Sequence, residues 1–107
     1  MNAIITNLKR ASIETILLAL LMEEDMYGYQ LAQEIKKRTD GRLSVLEGSM
    51  YPILTRLKEN GDVTFHTKIV GKKMKRVYYH ITDSGRQHYE EMKATFNDNV
   101  ALIQNLI

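Results

Sequence analysis

Ser49, Tyr51, Pro52, Thr55, Arg56 and Glu59 occupy one short stretch, and Met50, Ile53, Leu54 and Leu57 take the positions between them. On a helix this spacing sorts the two sets onto opposite faces, with Lys58 at the flank. Hydroxyls of Ser49, Tyr51 and Thr55 can bond phosphates or base edges, and Arg56 can bond phosphate or guanine. This is the chemistry of a helix laid in a DNA major groove. An amphipathic helix with an ordinary wet face shows the same pattern, so the stretch gains meaning only beside a second element of matching chemistry. Lys68, Lys72, Lys73, Lys75 and Arg76 form such a group, a basic one that can lie along a phosphate backbone or enter a minor groove. Lysines at a hairpin edge also block unwanted strand pairing.

Charge along the chain agrees with a polyanion footprint in this region. The 107 residues carry a net charge of only +2. Residues 42–80, however, hold eight Lys/Arg against three acids, a balance of +5, and the rest of the chain balances at −3. Positive charge concentrated in one middle segment is what a nucleic-acid surface needs, although a charged surface also serves plain solubility.

Other chemistry finds less support. Ser84 and His88 are an i, i+4 pair with Asp83 beside them, but a nucleophile needs an oriented base and an oxyanion site. Capping of a helix by Asp83 or Ser84 accounts for them better. His66, His80 and His88 lack the regular spacing of a zinc site, and the chain has no cysteine. No catalytic residue, metal ligand or cofactor is expected. A cysteine-free chain suits a reducing compartment. Its longest apolar run, Ile16 to Met22, is far shorter than the about 20 residues of a membrane span. The expectation is a cytoplasmic protein with no membrane partner.

The elements that must position these residues can be read in order. Ile4, Ile5 and Leu8 suggest a first helix over 2–10, and Ser12 can cap a second that carries Ile13, Ile16, Leu17, Leu20 and Leu21. Another helix is expected to start near Met26-Tyr27-Gly28, to carry Leu31, Ala32 and Ile35 inward and to stop at Gly41. The polar-faced stretch then forms a helix with Ser49 as N-cap, Pro52 in its first turn and Asn60-Gly61 as its stop. Beyond it the period changes. Val63, Phe65, Thr67 and Ile69 alternate with polar residues, as do Val77, Tyr79 and Ile81 after the basic turn. This alternation predicts two half-buried strands. Since both apolar sets are odd-numbered, paired residues must sum to an even number. Pairing Gly71 with Lys75 satisfies this and leaves Lys72-Lys73-Met74 as the tip.

Gly85, Tyr89, Met92, Phe96, Asn99, Ile103 and Leu106 step by four and three residues, a heptad seam that Val100 and Ile107 widen. A helix of two dozen residues is about 36 Å long, more than a small domain covers, so a second copy of the chain is expected against it. A terminal helix folded back on its own domain is the alternative. On the C-terminal helix the dimer interface is then expected from Tyr89, Met92, Phe96, Asn99, Val100, Ile103 and Leu106, with Asn99 able to fix helix register.

The whole pattern resembles the PadR family of bacterial regulators. Gly28-Tyr29-x-Leu31 looks like that family's second-helix motif. Glu47-Gly48-Ser49-Met50-Tyr51-Pro52-x-Leu54-x-Arg56-Leu57 looks like its recognition helix, and Arg76-x-Tyr78-Tyr79-x-Ile81-Thr82-x-x-Gly85 like the junction after the wing. The resemblance implies an α+β, mostly helical fold: a winged helix-turn-helix over residues 1–81 and a single C-terminal dimerisation helix over 82–107, in one compact domain. It implies a homodimer whose interface also takes in the N-terminal helix, with Ile4, Ile5 and Leu8, bound to an inverted-repeat operator in double-stranded DNA and acting as a repressor relieved by a small hydrophobic or aromatic effector. In the family's multidrug-sensing members aromatic residues of the C-terminal helix line a ligand cavity at the dimer interface, and Phe96 falls in the comparable region; plain dimer core is the stronger reading of it. Two rivals remain. A winged protein-interaction module would carry a neutral or acidic wing, against the +5 balance here, and a small-molecule-binding dimer would bind its ligand independently of DNA.

Overall fold

A computed structural model describes residues 2–107, with side chains described from Ser12 onward. The chain runs α1 (Asn2–Glu23), β1 (Met26–Tyr27), α2 (Gly28–Arg38), α3 (Glu47–Glu59), β2 (Val63–Val70), β3 (Met74–Ile81) and α4 (Asp83–Leu106). The three strands form one antiparallel sheet in the order β1-β3-β2. This is the winged helix-turn-helix expected, with α4 attached after the wing.

The first two expected helices are one. Ser12 lies inside α1 rather than capping a new helix, because extending a helix costs less than nucleating another and no Gly or Pro interrupts the stretch. Ile4, Ile5 and Leu8 lie outside the residues whose side chains are described. Leu17, Leu18 and Leu21 of α1 sit at the centre of the core with Leu31, Met50, Leu54, Leu57, Val63 and Ile81, all at most 2% exposed. Each such side chain contributes about 1.5–3 kcal/mol by leaving water.

Met26 and Tyr27, expected at the head of a helix, instead form β1, opposite Tyr79 and Tyr78. Met26 is buried and the Tyr27 ring meets Tyr78 edge-on at 5.3 Å, so packing on the sheet wins these two residues. The acids before them have partners. Arg38, at the end of α2, grips Glu23 through two nitrogens at 2.6 and 2.8 Å. It also bonds Glu34 at 3.0 Å. This bonding to Arg38 holds the Glu23 carboxyl below its usual pKa. Glu24 accepts from Gln30 at 2.9 Å, and Asp25 meets His80 at 2.7 Å. The acidic end of α1 thus fastens α2 and the sheet.

Between α2 and α3 the chain takes eight residues, Thr39 to Leu46, not a tight turn. Val45 is buried there, and Thr39 donates to Ile35 O at 2.8 Å and accepts from Leu43 N at 3.0 Å. The α3 helix begins earlier than Ser49: Leu46 is the N-cap and Pro52 lies inside the helix. Asn60 and Gly61 close it as expected, with Asn60 as C-cap and Gly61 N donating to Lys58 O.

The hairpin keeps the expected parity, but its pairs sum to 144, from Val63↔Ile81 to Val70↔Met74. Its tip is therefore Gly71-Lys72-Lys73. Gly71 has φ +64°, a left-handed conformation that suits a turn and not a paired strand position. The strands are half-buried only near the core. Val63, Tyr79 and Ile81 are buried, but Ile69, on the same face, is 71% exposed, because the hairpin projects past the helices.

Thr82 caps α4: its hydroxyl accepts from Gly85 N at 3.0 Å. The seam then divides. Gly85 is buried and Tyr89 and Met92 pack on the chain's own core. From Phe96 onward every residue is exposed.

Candidate nucleic-acid interface

Helix α3 presents the surface its spacing implies. Met50, Leu54 and Leu57 are buried and Ile53 is partly so, and all five outward candidates, Ser49, Tyr51, Pro52, Thr55 and Arg56, are exposed. They do not form one uniform row. Pro52, Thr55 and Glu59 fall opposite the buried set by helical spacing. Arg56 lies on the flank towards α1, where its guanidinium meets Glu14 at 3.3 Å. Lys58 lies on the other flank, with its ammonium 4.0 Å from the centre of the Phe65 ring on β2. Cation and ring attract there, so Lys58 ties the helix to the wing.

Tyr51 shares that second flank, and its phenol donates to Glu47 at 2.9 Å. This bond is the main reason the Tyr51 hydroxyl titrates above its usual range. Glu47 also presses on α2. A Cβ at Gly28 would stand 2.8 Å from its Oε1, so only glycine leaves room for the carboxylate. Burial, followed by the Glu47 charge, raises the Tyr79 pKa as well. Together Tyr27, Gly28, Glu47, Tyr51, Lys75, Arg76, Val77 and Tyr79 line a cleft of about 230 Å³ between the head of α3 and the wing. Sequence reasoning did not single out Glu47 as a site residue. The signal was its i, i+4 spacing from Tyr51, which puts a carboxylate and a phenol side by side on a helix.

The wing cations divide between two faces and a tip. Lys68 and Arg76 are directly opposed in the ladder. They cover Tyr78 at 4.6 Å and Tyr27 at 4.4 Å, on the sheet face opposite to that of Lys75, and Arg76 also borders the cleft beside α3. Lys75, opposite Ile69, lies on the face that continues from the core. Lys72 and Lys73 stand at the tip. The fold brings Lys75 beside the recognition helix and leaves Lys68 on the far side of the hairpin.

The histidines and the serine fall elsewhere. His80 and Asp25 bond on the outer face, with His66 Nε2 at 4.0 Å from the same carboxylate. Among the described residues no group of three or more His, Cys, Asp or Glu is placed to hold a metal ion. Asp62, buried, receives Ser84 Oγ at 3.3 Å on one oxygen and meets His88 Nδ1 at 2.6 Å on the other. The carboxylate stands between serine and histidine. A nucleophile would need the histidine in the middle, so the trio fastens α4 to the end of α3.

Helices α1 and α4 border a groove of about 380 Å³, lined by Thr15, His88, Glu91, Met92, Thr95, Phe96 and Asn99. Phe96 and Asn99 of the seam meet there. Among the described residues no helix is long and apolar enough to cross a membrane.

Residues 17–91 match the Transcriptional regulator PadR-like family. A transcriptional regulator from Clostridium thermocellum has a similar structure, with a TM-score of 0.85 and 29% identity over 94% of this chain and 95% of that one. The negative transcriptional regulator PadR of Bacillus subtilis is 32% identical over 70% of this chain, a match that takes in 41% of that longer protein. Its structure in complex with operator DNA gives a TM-score of 0.68 at 30% identity, over 74% of this chain and 46% of that one.

Proposed function

This chain belongs to the Transcriptional regulator PadR-like family, and from that premise we propose that it binds an inverted-repeat operator as a homodimer and represses transcription from it. The observation that carries the reading is the pairing of two surfaces. An exposed α3 face of Ser49, Tyr51, Pro52, Thr55 and Arg56 stands beside a hairpin tipped by Lys72 and Lys73, with Lys75 next to them. The operator complex of the Bacillus relative supports the same use of the fold. Phosphate contacts from the tip supply affinity and register, and α3 reads bases. Lys68 contributes to the positive field from the outer face, and Arg76 from the edge of the cleft beside α3.

Residues 82–107 act as the dimerisation helix, and residues 1–81 as the DNA-binding part. Phe96, Asn99, Val100, Ile103 and Leu106 form the exposed seam that a second copy covers, while Tyr89 and Met92 divide themselves between the partner and their own core. Two-fold symmetry then sets half-sites about one or two helical turns apart, about 34–36 Å per turn. A small hydrophobic or aromatic effector would enter beside Phe96 in the groove between α1 and α4. On this reading the protein works on DNA in the cytoplasm, as a regulator and not as an enzyme.

The test is binding to the DNA upstream of its own gene and to a scrambled fragment, each at two salt concentrations. Preference for the upstream fragment, with affinity falling steeply with salt, is expected. Equal affinity for both would sink sequence-specific reading, and no binding at low salt would sink DNA binding altogether.

A further inference from the structure

The Glu47–Tyr51 pair is out of character for a surface that meets phosphates. A phenol has one hydrogen, and Tyr51 gives it to Glu47. A carboxylate has none. What the pair offers to any docking partner is therefore acceptors only, at the head of the helix and within a basic region. The carboxylate lies against Gly28, whose missing Cβ leaves it room to stand beside the phenol. Among the described residues it forms no ion pair, although Lys75 and Arg76 line the same cleft. The bond to Glu47 also raises the Tyr51 pKa above its usual range. Tyr51 is 46% exposed, so its oxygen is accessible.

A DNA phosphate is itself an acceptor and is repelled by this pair. In the major groove the donors are the exocyclic amino groups, N4 of cytosine and N6 of adenine. We propose that Tyr51 is a base-reading residue that accepts a hydrogen bond from an adenine or cytosine amino group, and that Glu47 is the positioning residue that takes the phenol's hydrogen and so fixes this preference. Guanine O6 and thymine O4 are acceptors and would be refused at that position. The inference rests on the operator-binding reading above and sharpens it, because it assigns Tyr51 to a base and not to a phosphate.

Selection from a random duplex library with the unaltered protein gives its preferred sequence. Affinities are then measured for the protein, Tyr51→Phe and Glu47→Gln. The duplexes are ones in which single adenines are replaced by purine, and single cytosines by 2-pyrimidinone, each lacking only the amino group. One position in each half-site is expected to respond. Removing its amino group should cost the unaltered protein about three- to tenfold in affinity, the range of one hydrogen bond. Tyr51→Phe should show the same loss on the intact duplex and no further loss on the altered one, with the salt dependence unchanged. Glu47→Gln, whose amide can donate to the phenol oxygen and release the phenol's hydrogen, should weaken the preference for an amino group at that position. Thermal unfolding of each variant checks that the fold is kept. If Tyr51→Phe weakens all duplexes alike and flattens the salt dependence, Tyr51 holds a phosphate and the inference is wrong. It is equally wrong if no single amino group matters. A selection that yields no preferred sequence overturns the operator reading and this inference together, whereas a clear consensus with no amino dependence overturns this inference alone.

Discussion

Two glycines show how far a single position can differ from another of the same type. At Gly85 a Cβ would collide with the backbone carbonyl of Asp62, which already accepts from Thr82 N at 3.0 Å and from the Thr82 hydroxyl at 3.1 Å. Neither partner can withdraw without breaking the cap of α4. Gly85→Ala should therefore lower stability by about 2 kcal/mol or more, the usual cost of overpacking, seen as a lower thermal midpoint. At Gly28 the obstructing atom is the end of the Glu47 side chain, which can turn away into solvent. Gly28→Ala should change stability by less than about 1 kcal/mol, the scale of a tolerated core substitution, and still weaken operator binding, because Glu47 leaves Tyr51. A Gly28→Ala protein with normal melting and normal DNA affinity would show that the Glu47 position is irrelevant to recognition.

Within elements, Pro52 is the place where local preference and fold disagree most openly. It stands inside α3 with no N–H to give to Gly48 O, a defect that costs about 3 kcal/mol in an ordinary helix interior. It is also exposed, so core packing does not repay the loss. Such violations concentrate at functional surfaces. Pro52→Ala should raise the thermal midpoint and weaken operator binding, and a gain in stability with unaltered binding would remove Pro52 from the interface. For the wing, Lys72→Ala with Lys73→Ala should weaken binding to all sequences, and the salt slope should fall by about 0.9 for each phosphate left unneutralised. An unchanged slope would show that the tip does not reach the backbone. These elements also mark what the sequence made legible. Periodicity placed the buried face of α3, the strand parity and the helix that becomes α4, because each depends on local spacing. It misplaced the start of α3, since Ser49 is a good cap by type but Leu46 takes the position. It missed β1, since two residues carry no period and only Tyr78 and Tyr79, some fifty positions away, make them a strand. It treated five wing cations as one group, where the ladder register sends Lys68 and Arg76 to one face and Lys75 to the other.

Across the whole molecule, α4 is built for two environments. Its first turns are anchored by Gly85 against Asp62 and by the Asp62–His88 bond. Its last turns expose Phe96, Val100, Leu102, Ile103, Leu106 and Ile107, with Leu106 at 79%. A contiguous apolar stripe of this kind marks an association surface. Burying such side chains contributes about 1.5–3 kcal/mol each, so in the proposed homodimer a few from each copy offset the cost of association. The same residues contribute nothing to the core of one chain, and this separates assembly from folding. Ile103→Glu should leave helix content and cooperative unfolding intact in dilute solution while converting the proposed dimer to a monomer in sedimentation equilibrium. Operator affinity should drop with it, since each monomer then holds one half-site without the partner that raises its effective concentration at the other. Half-site binding should persist at low salt, because α3 and the wing are untouched. If Ile103→Glu stays dimeric with full operator affinity, the seam is not the interface. The exposed end of α4 would then have to be covered by something other than a second copy.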